Sequence, residues 1–171
     1  LQVYRDAREA LVEQLGIERE VLAQRGDEMA VSDIGTAGAR DLPAPVAADI
    51  AELYRDLHRH PELSFAELRT SASVADRLTS SGYEVSTGVG RTGVVGLLRN
   101  GAGPTVLLRA DMDGLPVLEG TGLPYASTAR GVDPDGREVP VMHACGHDVH
   151  VTCLVGACQV LAETRSSWSA L

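Results

Sequence analysis

The chain contains 171 residues, of which 44% are apolar and 23% are charged, and its formal net charge is -9. This length and composition suffice for a globular domain with a hydrophobic core, which excludes a wholly disordered chain. Only 15 residues are Lys or Arg and no apolar run approaches the roughly 20 residues of a membrane span, so neither nucleic acid nor a membrane is expected as a partner.

The first 45 residues are predicted to form a helical extension and a linker. Residues 3–25 place apolar side chains at helical spacing among Arg and Glu, which is typical of one or two amphipathic helices. Residues 26–44 are rich in Gly, Ala and Asp, and the prolines at their end forbid a continuous helix. The chain therefore divides into an extension, 1–45, and a main domain, 46–171.

Two helices are predicted at the start of the main domain. Apolar residues recur at helical spacing over 46–59, and Pro61 ends that helix near His60. The same spacing returns over 65–80, where the following Gly82 can terminate the helix.

Three strands are predicted next, because the apolar periodicity shortens and turn-prone Gly, Asn and Pro separate the segments. They comprise residues 83–85, 93–98 and 105–110. The last is almost entirely apolar, as expected of a strand that is covered on both faces. A long loop over 117–141 and a helix from Asp148 are predicted to follow.

Two acidic residues follow the last predicted strand within Arg109-Ala110-Asp111-Met112-Asp113-Gly114-Leu115-Pro116, here called the Asp motif. Asp111 and Asp113 alternate, so they should point to the same side and could bind a metal, orient an imidazole or transfer a proton. Solvated aspartates in a surface turn are the alternative. Arg109 is expected to pair with one of these acids or with a substrate carboxylate.

A dense group of polar residues occupies Met142-His143-Ala144-Cys145-Gly146-His147-Asp148-Val149-His150, here called the Cys-His motif. In an extended loop, Cys145 and His147 project to the same side and can bind one ion or two neighbouring ions. Thiolate with imidazole suits zinc and other first-row transition metals better than magnesium or calcium. A buried free cysteine beside hydrogen-bonded histidines is the alternative, which the neighbouring His143, Asp148 and His150 make less favoured.

Some of these polar residues also have purely structural interpretations. Asp148 either orients an imidazole or caps the following helix, and the sequence favours neither role. His58 and His60 are expected to cap carbonyls at the end of the first helix. The odd number of closely spaced cysteines, which include Cys153 and Cys158, indicates reduced thiols. The first thirty residues are charged throughout and do not resemble a signal peptide, so a cytoplasmic protein is expected.

Three motifs in this order resemble the M20 metallopeptidases, specifically the amidohydrolase branch of hippurate hydrolases, N-acyl-amino-acid deacylases and auxin-conjugate hydrolases. The resemblance extends from about residue 53 to 168 and includes the Asp motif and the Cys-His motif. It begins with a third segment, here called the His-Pro motif: Asp56-Leu57-His58-Arg59-His60-Pro61-Glu62-Leu63-Ser64-Phe65.

The resemblance implies an α/β fold, with a partial zinc-peptidase-like catalytic domain whose mixed sheet is flanked by helices. Residues 46–171 would be its first part, without the lid and dimerisation domain. It implies two divalent metal ions (Mn, Zn, Co or Ni) with Cys145 and His147 as ligands and Cys145 bridging both. Asp113 matches an aspartate that supports catalysis, and Asp111 falls where other branches have a metal-binding histidine. His143, Asp148, His150 and Arg109 are expected to support the site.

The implied function is metal-dependent cleavage of the amide bond of N-acyl amino acids or related small amides, with a homodimer as the full-length form. The family also uses a Glu-Glu pair, as general base and ligand, and two further histidines, none of which lies in this sequence. We therefore expect the 171-residue chain alone to be inactive. A truncated, non-catalytic binding or regulatory module is the alternative, and a thiol redox protein is disfavoured because no C-x-x-C pair is present.

Overall fold

The computed structural model describes residues 44–168, so almost all of the predicted extension 1–45 lies outside the described residues. The elements in chain order are α1 (Ala44–Arg59), α2 (Leu68–Ser80), β1 (Glu84–Val89), β2 (Gly93–Leu97), β3 (Arg130–Val132), β4 (Glu138–Pro140), α3 (His147–Glu163) and a 3-10 turn (Arg165–Ser167). The predicted α/β class is confirmed. None of the helices within 44–168 combines the length and apolar character that a bilayer crossing requires.

The core lies where α1, α2 and α3 pack together. Its buried residues are apolar and come from all three helices: Leu53, Leu57, Val74, Leu78, Val151, Val155 and Cys158. Fully burying one Leu or Val side chain contributes about 1.5–3 kcal/mol. This helical core supports the amino terminus of α3, where the Cys-His motif ends.

Helix α2 begins at Leu68, three residues later than predicted. Phe65 has a φ of 64°, which is incompatible with a right-handed helix at that position. The Glu62 carboxylate instead accepts hydrogen bonds from the amides of Arg69 and Thr70, at 3.0 and 2.8 Å. It thereby caps the helix from outside and anchors the end of the His-Pro motif.

The described strands form two antiparallel pairs. β1 pairs with β2 from Glu84 opposite Leu97 to Val89 opposite Gly93, with an irregularity between Thr87 and Val89. β3 pairs with β4 inside the segment 117–141, which was predicted to be a loop throughout, and that prediction is wrong for residues 130–140. Only isolated bridges join the remaining extended segments of the described part.

The predicted strand over 105–110 is also wrong, because the structure assigns no strand pairing to these residues. A strand needs a neighbour for its amide and carbonyl groups, and among residues 44–168 β1 and β2 pair only with each other. Val106 and Leu107 are accordingly 67% and 70% exposed, although their apolar character predicted burial on both faces.

Candidate metal centre

Two backbone bridges bring the three motifs together. Leu63 of the His-Pro motif forms a parallel bridge with Gly114, and Leu115 forms an antiparallel bridge with Met142. The Gly114 amide donates to the Glu62 carbonyl at 2.7 Å, and Leu115 and Met142 exchange hydrogen bonds of 2.8 and 3.0 Å. The Asp motif therefore lies between the other two.

Gly114 makes this close approach possible. A Cβ atom there would lie 2.9 Å from Cγ1 of Val141 and 3.0 Å from Cβ of Pro61. Any side chain would push the neighbouring segments apart. The glycine thus fixes the position of Asp113, the residue before it.

Asp113 and His147 form the central contact of the site. The Oδ1 atom of Asp113 lies 2.9 Å from Nδ1 of His147, and the backbone oxygen of Asp113 lies 3.1 Å from the same nitrogen. When Nδ1 donates its proton to these oxygens, Nε2 is left with the lone pair that binds a metal. This donor set fits a transition-metal ion at His147.

Cys145 provides a second candidate ligand near His147. Its thiol is exposed, and Gly146 between the two residues has a φ of 75°, so the loop turns sharply before α3 begins. The His150 ring lies 5.5 Å from the His147 ring, measured between centroids. Within residues 44–168, no three His, Cys, Asp or Glu side chains are grouped so that they could hold one metal ion.

Asp111 and Asp113, which the alternation predicted to point to the same side, bind different partners. The Asp111 carboxylate pairs with the Arg109 guanidinium, with one contact at 3.2 Å and a second, closer one. Both side chains are exposed, at 40% for Asp111 and 67% for Arg109. The predicted pairing of Arg109 with one of the two acids is therefore confirmed, and the partner is Asp111.

Asp148 orients an imidazole, one of the two roles that the sequence left open. Its Oδ2 atom lies 2.7 Å from Nδ1 of His58, and its Oδ1 atom accepts the Val149 amide. The residue at the N-cap position of α3 is Gly146. Asp148 is only 1% exposed, so it acts inside the protein and not as a surface helix cap.

His58 is a buried hydrogen-bonding centre, and its prediction as a cap of α1 is wrong. Its Nε2 atom lies 3.1 Å from Oε1 of Glu119, while Nδ1 binds Asp148. Burial alone would lower the pKa of His58, but the hydrogen bonds and charges of Asp148 and Glu119 outweigh burial and raise it. His60 does bind a helix carbonyl, that of Asp56, as predicted.

Glu119 was missed in the sequence because it lies in an irregular segment without any periodic pattern. Its side chain has no solvent exposure, and it accepts hydrogen bonds from the Ser127 amide at 2.5 Å and from the Thr121 hydroxyl. Burial would raise the pKa of Glu119, but these bonds and the neighbouring His58 lower it. The carboxylate is therefore held in its charged form.

His143 is buried, with 5% exposure. Neither ring nitrogen makes a hydrogen bond of standard geometry with a described residue. Burial lowers the pKa of His143, as do neighbouring His58 and His147, whereas Asp148 and the Asp113 backbone act in the opposite direction. A buried imidazole without a hydrogen bond of standard geometry, beside Asp113 and His147, fits a polar ligand at this site.

A wide groove of about 810 Å³ lies elsewhere, between the start of α1, the end of α2 and the end of α3. Its lining includes Asp49, Arg77 and Gln159 but no His or Cys. It therefore lacks the donor chemistry that the three motifs bring together.

Comparisons with known proteins agree with this arrangement. The sequence profile of peptidase family M20/M25/M40 matches residues 107–170. Thermostable carboxypeptidase 1 of Saccharolobus solfataricus is 46% identical over 118 residues, which are 68% of this chain and 28% of that protein. Hippurate hydrolase of Campylobacter jejuni is 44% identical over 116 residues, which are 67% of this chain and 28% of that protein.

A solved structure is similar as well. The YXEP protein of Bacillus subtilis, a dinuclear metal-binding peptidase of the M20 family, matches with a TM-score of 0.62 and 34% identity over 71% of this chain and 32% of that chain. The present chain thus spans 28% of the length of each of the two relatives named above. Together, the three motifs, their spatial arrangement and these matches place the chain in peptidase family M20/M25/M40.

Proposed function

We propose that the chain contributes to a metal-dependent amidohydrolase that cleaves the amide bond of N-acyl amino acids or related small amides. The observation that supports this proposal most directly is the 2.9 Å contact between Asp113 and Nδ1 of His147, where two of the motifs meet. Family membership supports hydrolysis, and the 44% identity to a hippurate hydrolase supports an acylated amino acid as the substrate. Because the chain spans 28% of that relative, the whole protein's activity is part of the proposal.

The proposed cofactors are two divalent ions (Mn, Zn, Co or Ni), which Cys145 and His147 would hold as ligands. When bound, such ions polarise an amide carbonyl and lower the pKa of a water molecule. Asp113 holds the His147 ring in the tautomer whose Nε2 faces outward, as carboxylates behind metal-binding histidines do. We propose that three neighbouring residues help to hold these ligands in place: His143, Asp148 and His150.

Asp111 and Arg109 have a separate proposed role at the exposed side of the Asp motif. Their ion pair leaves the guanidinium accessible, with 67% of the Arg109 side chain exposed. A guanidinium can bind a carboxylate through two parallel hydrogen bonds. We assign Arg109 to the substrate carboxylate and Asp111, the second catalytic candidate, to proton transfer beside it.

The 171-residue chain alone is proposed to be inactive. No third donor joins Cys145 and His147 within the described range 44–168, and two side chains hold a metal weakly. The same observation is compatible with the alternative function, a truncated, non-catalytic binding or regulatory module. A cytoplasmic location, supported by three free cysteines, and a homodimer of the full-length protein are part of the proposal.

Differential alkylation tests the ligand assignment. Cys145 and Cys153 are both exposed, so Cys153 serves as an internal control when peptide mass spectrometry follows alkylation with and without Zn²⁺ or Mn²⁺. We expect metal to slow the alkylation of Cys145 but not that of Cys153. Equal rates at Cys145 with and without metal would contradict the assignment.

Hydrolysis of hippurate by the same preparation tests the activity. We expect bound metal to protect Cys145 from alkylation. The chain should nevertheless release no glycine from hippurate. Metal-dependent release of glycine would overturn the proposed inactivity of the chain and favour the amidohydrolase over the binding module.

A further inference from the structure

His58 is enclosed by two carboxylates, one at each ring nitrogen. Nδ1 lies 2.7 Å from Asp148 and Nε2 lies 3.1 Å from Glu119. An ionised carboxylate can only accept a hydrogen bond, so two such partners favour the form of the ring in which both nitrogens are protonated. The hydrogen bonds and charges of Asp148 and Glu119 correspondingly raise the pKa of His58, which is buried, with 6% exposure.

This ring joins three segments that are far apart in sequence. His58 lies on the buried face of α1, near the end of the helix. Asp148 belongs to the first turn of α3, and Glu119 lies in the segment after the Asp motif. Glu119 extends the connection, since it also accepts the amide of Ser127. Two tyrosine rings lie beside the imidazole, Tyr54 at 5.7 Å and Tyr125 at 5.4 Å between centroids.

The first two residues of α3 are each bound by an imidazole–carboxylate pair. His147 is held by Asp113 and Asp148 is held by His58. The preceding Gly146 has no atom within 4 Å of where a Cβ would be, and its carbonyl accepts the His150 amide at 3.1 Å. The two pairs therefore act directly on the first turn of α3, which follows Cys145 and Gly146.

We propose that His58 is a positioning residue for the candidate metal centre, which it orders by binding Asp148 at the start of α3 and Glu119 in segment 119–127. This inference rests on the proposed function for its metal-binding consequence. Its structural part, a buried imidazole that ties three segments together, stands on the geometry of residues 44–168 alone. His58 touches neither proposed ligand and acts on them through Asp148.

The experiment compares His58→Gln with His60→Gln in the full 171-residue chain. His60 is the matched control because it directly follows the same helix, binds an acid of its own, Asp56, and is 43% exposed. Circular dichroism first establishes that each variant is folded. Co²⁺ titration then measures affinity through the absorption of the thiolate at Cys145.

We expect His58→Gln to weaken Co²⁺ binding about tenfold to hundredfold, as loss of groups that orient metal ligands does. His60→Gln should bind Co²⁺ within about twofold of the unaltered chain, because its ring does not contact α3. Equal affinities of the two variants would overturn the proposal.

Two further measurements do not depend on metal. Nitrogen-15 NMR of the imidazole should show that both His58 nitrogens stay protonated to a higher pH than in a histidine with the ordinary pKa of 6.5, and loss of one proton at or below that pH would overturn the assignment. Limited proteolysis should cut residues 119–127 faster in His58→Gln than in His60→Gln, and equal rates would contradict the clamping role.

A milder variant keeps the test decisive if His58→Gln does not fold. Glu119→Gln retains an oxygen that accepts from Nε2 but removes one negative charge, so the His58 proton should dissociate at lower pH in NMR titration. An unchanged titration would contradict the double pairing. If the unaltered chain binds no Co²⁺, the proposed function fails. NMR and proteolysis still test whether His58 holds the three segments together.

Discussion

Oδ1 of Asp113 lies 2.9 Å from Nδ1 of His147, which is the first residue of α3. The two residues are 34 positions apart in sequence, and the bridge between Leu115 and Met142 brings their segments together. A carboxylate in this position fixes the orientation of the ring. The contact therefore supports the proposed role of His147 as a metal ligand.

Asp113→Ala should weaken metal binding by about tenfold to hundredfold, because the His147 ring loses the group that orients it. Competition titration with Zn²⁺ or Co²⁺ measures the change. Asp111→Ala is the matched control, since its carboxylate pairs with the exposed Arg109 and not with His147. An equal loss of metal affinity in the two variants would show that Asp113 acts only through its negative charge and not through its contact with His147.

Gly114→Ala should destabilise the protein by about 1–3 kcal/mol, the usual range for overpacking. The added Cβ would lie 2.9 Å from Val141 and 3.0 Å from Pro61, so the three motifs must separate. Urea unfolding measures the change in free energy. Gly120→Ala, where the new Cβ meets no atom within 4 Å, should remain within about 0.5 kcal/mol of the unaltered chain.

The sequence predicted the local parts of this structure well. The spacing of Leu53 and Leu57 identified α1 and its buried face, and both residues belong to the core. Helical and turn signals of this kind arise from neighbouring residues, so they can be read along the chain. The Cys-His motif before α3 was likewise recognisable from its own residue types.

The long-range contacts could not be predicted in the same way. His58 binds Asp148 across 90 residues and Glu119 across 61, and neither spacing leaves a periodic trace. His58 thus looked like a helix cap, and Glu119 looked like a loop residue. The apolar run at 105–110 misled for a related reason, because a strand also requires a neighbouring segment with which to pair.

Tyr83→Phe should cost about 0.5–1.5 kcal/mol, the net value of one hydrogen bond. The Tyr83 hydroxyl donates to the Cys158 carbonyl at 3.0 Å and thereby ties the start of the hairpin to α3. Burial and the neighbouring thiol of Cys158 raise the pKa of Tyr83 strongly, so the neutral phenol persists in ordinary buffers. Urea unfolding measures the loss, and an unchanged midpoint would show that water replaces the bond at no cost.

Leu57→Ala should destabilise the protein by about 2–5 kcal/mol, since it removes a large side chain from a packed core. Leu57 is 0% exposed and lies among residues of all three helices. Leu68→Ala is the control, because Leu68 is 72% exposed at the start of α2 and should change stability by less than about 0.5 kcal/mol. Similar losses in the two variants would contradict the position of the core.

The stability of the protein should depend on pH through His58. The pKa of His58 is raised from its ordinary value of 6.5, so the folded state holds this proton more tightly than the unfolded state. The resulting stabilisation is fully present below pH 6.5 and is lost as the pH rises through the folded-state pKa. The titratable groups that face the ring are Asp148, Glu119, Tyr54, Tyr125 and His143.

Urea unfolding at a series of pH values from 6 to 9 measures this contribution as the difference in unfolding free energy between the unaltered chain and His58→Gln. Burial by itself would lower the pKa of His58. The bonds to Asp148 and Glu119 outweigh burial and raise this pKa, and the difference in unfolding free energy arises from that rise. The difference should therefore be largest at pH 6 and should shrink as the pH rises. A difference that grows with pH would mean that burial prevails and that the ring is neutral in the folded protein. His60→Gln, measured in parallel, corrects for the loss of a histidine that does not join the two carboxylates.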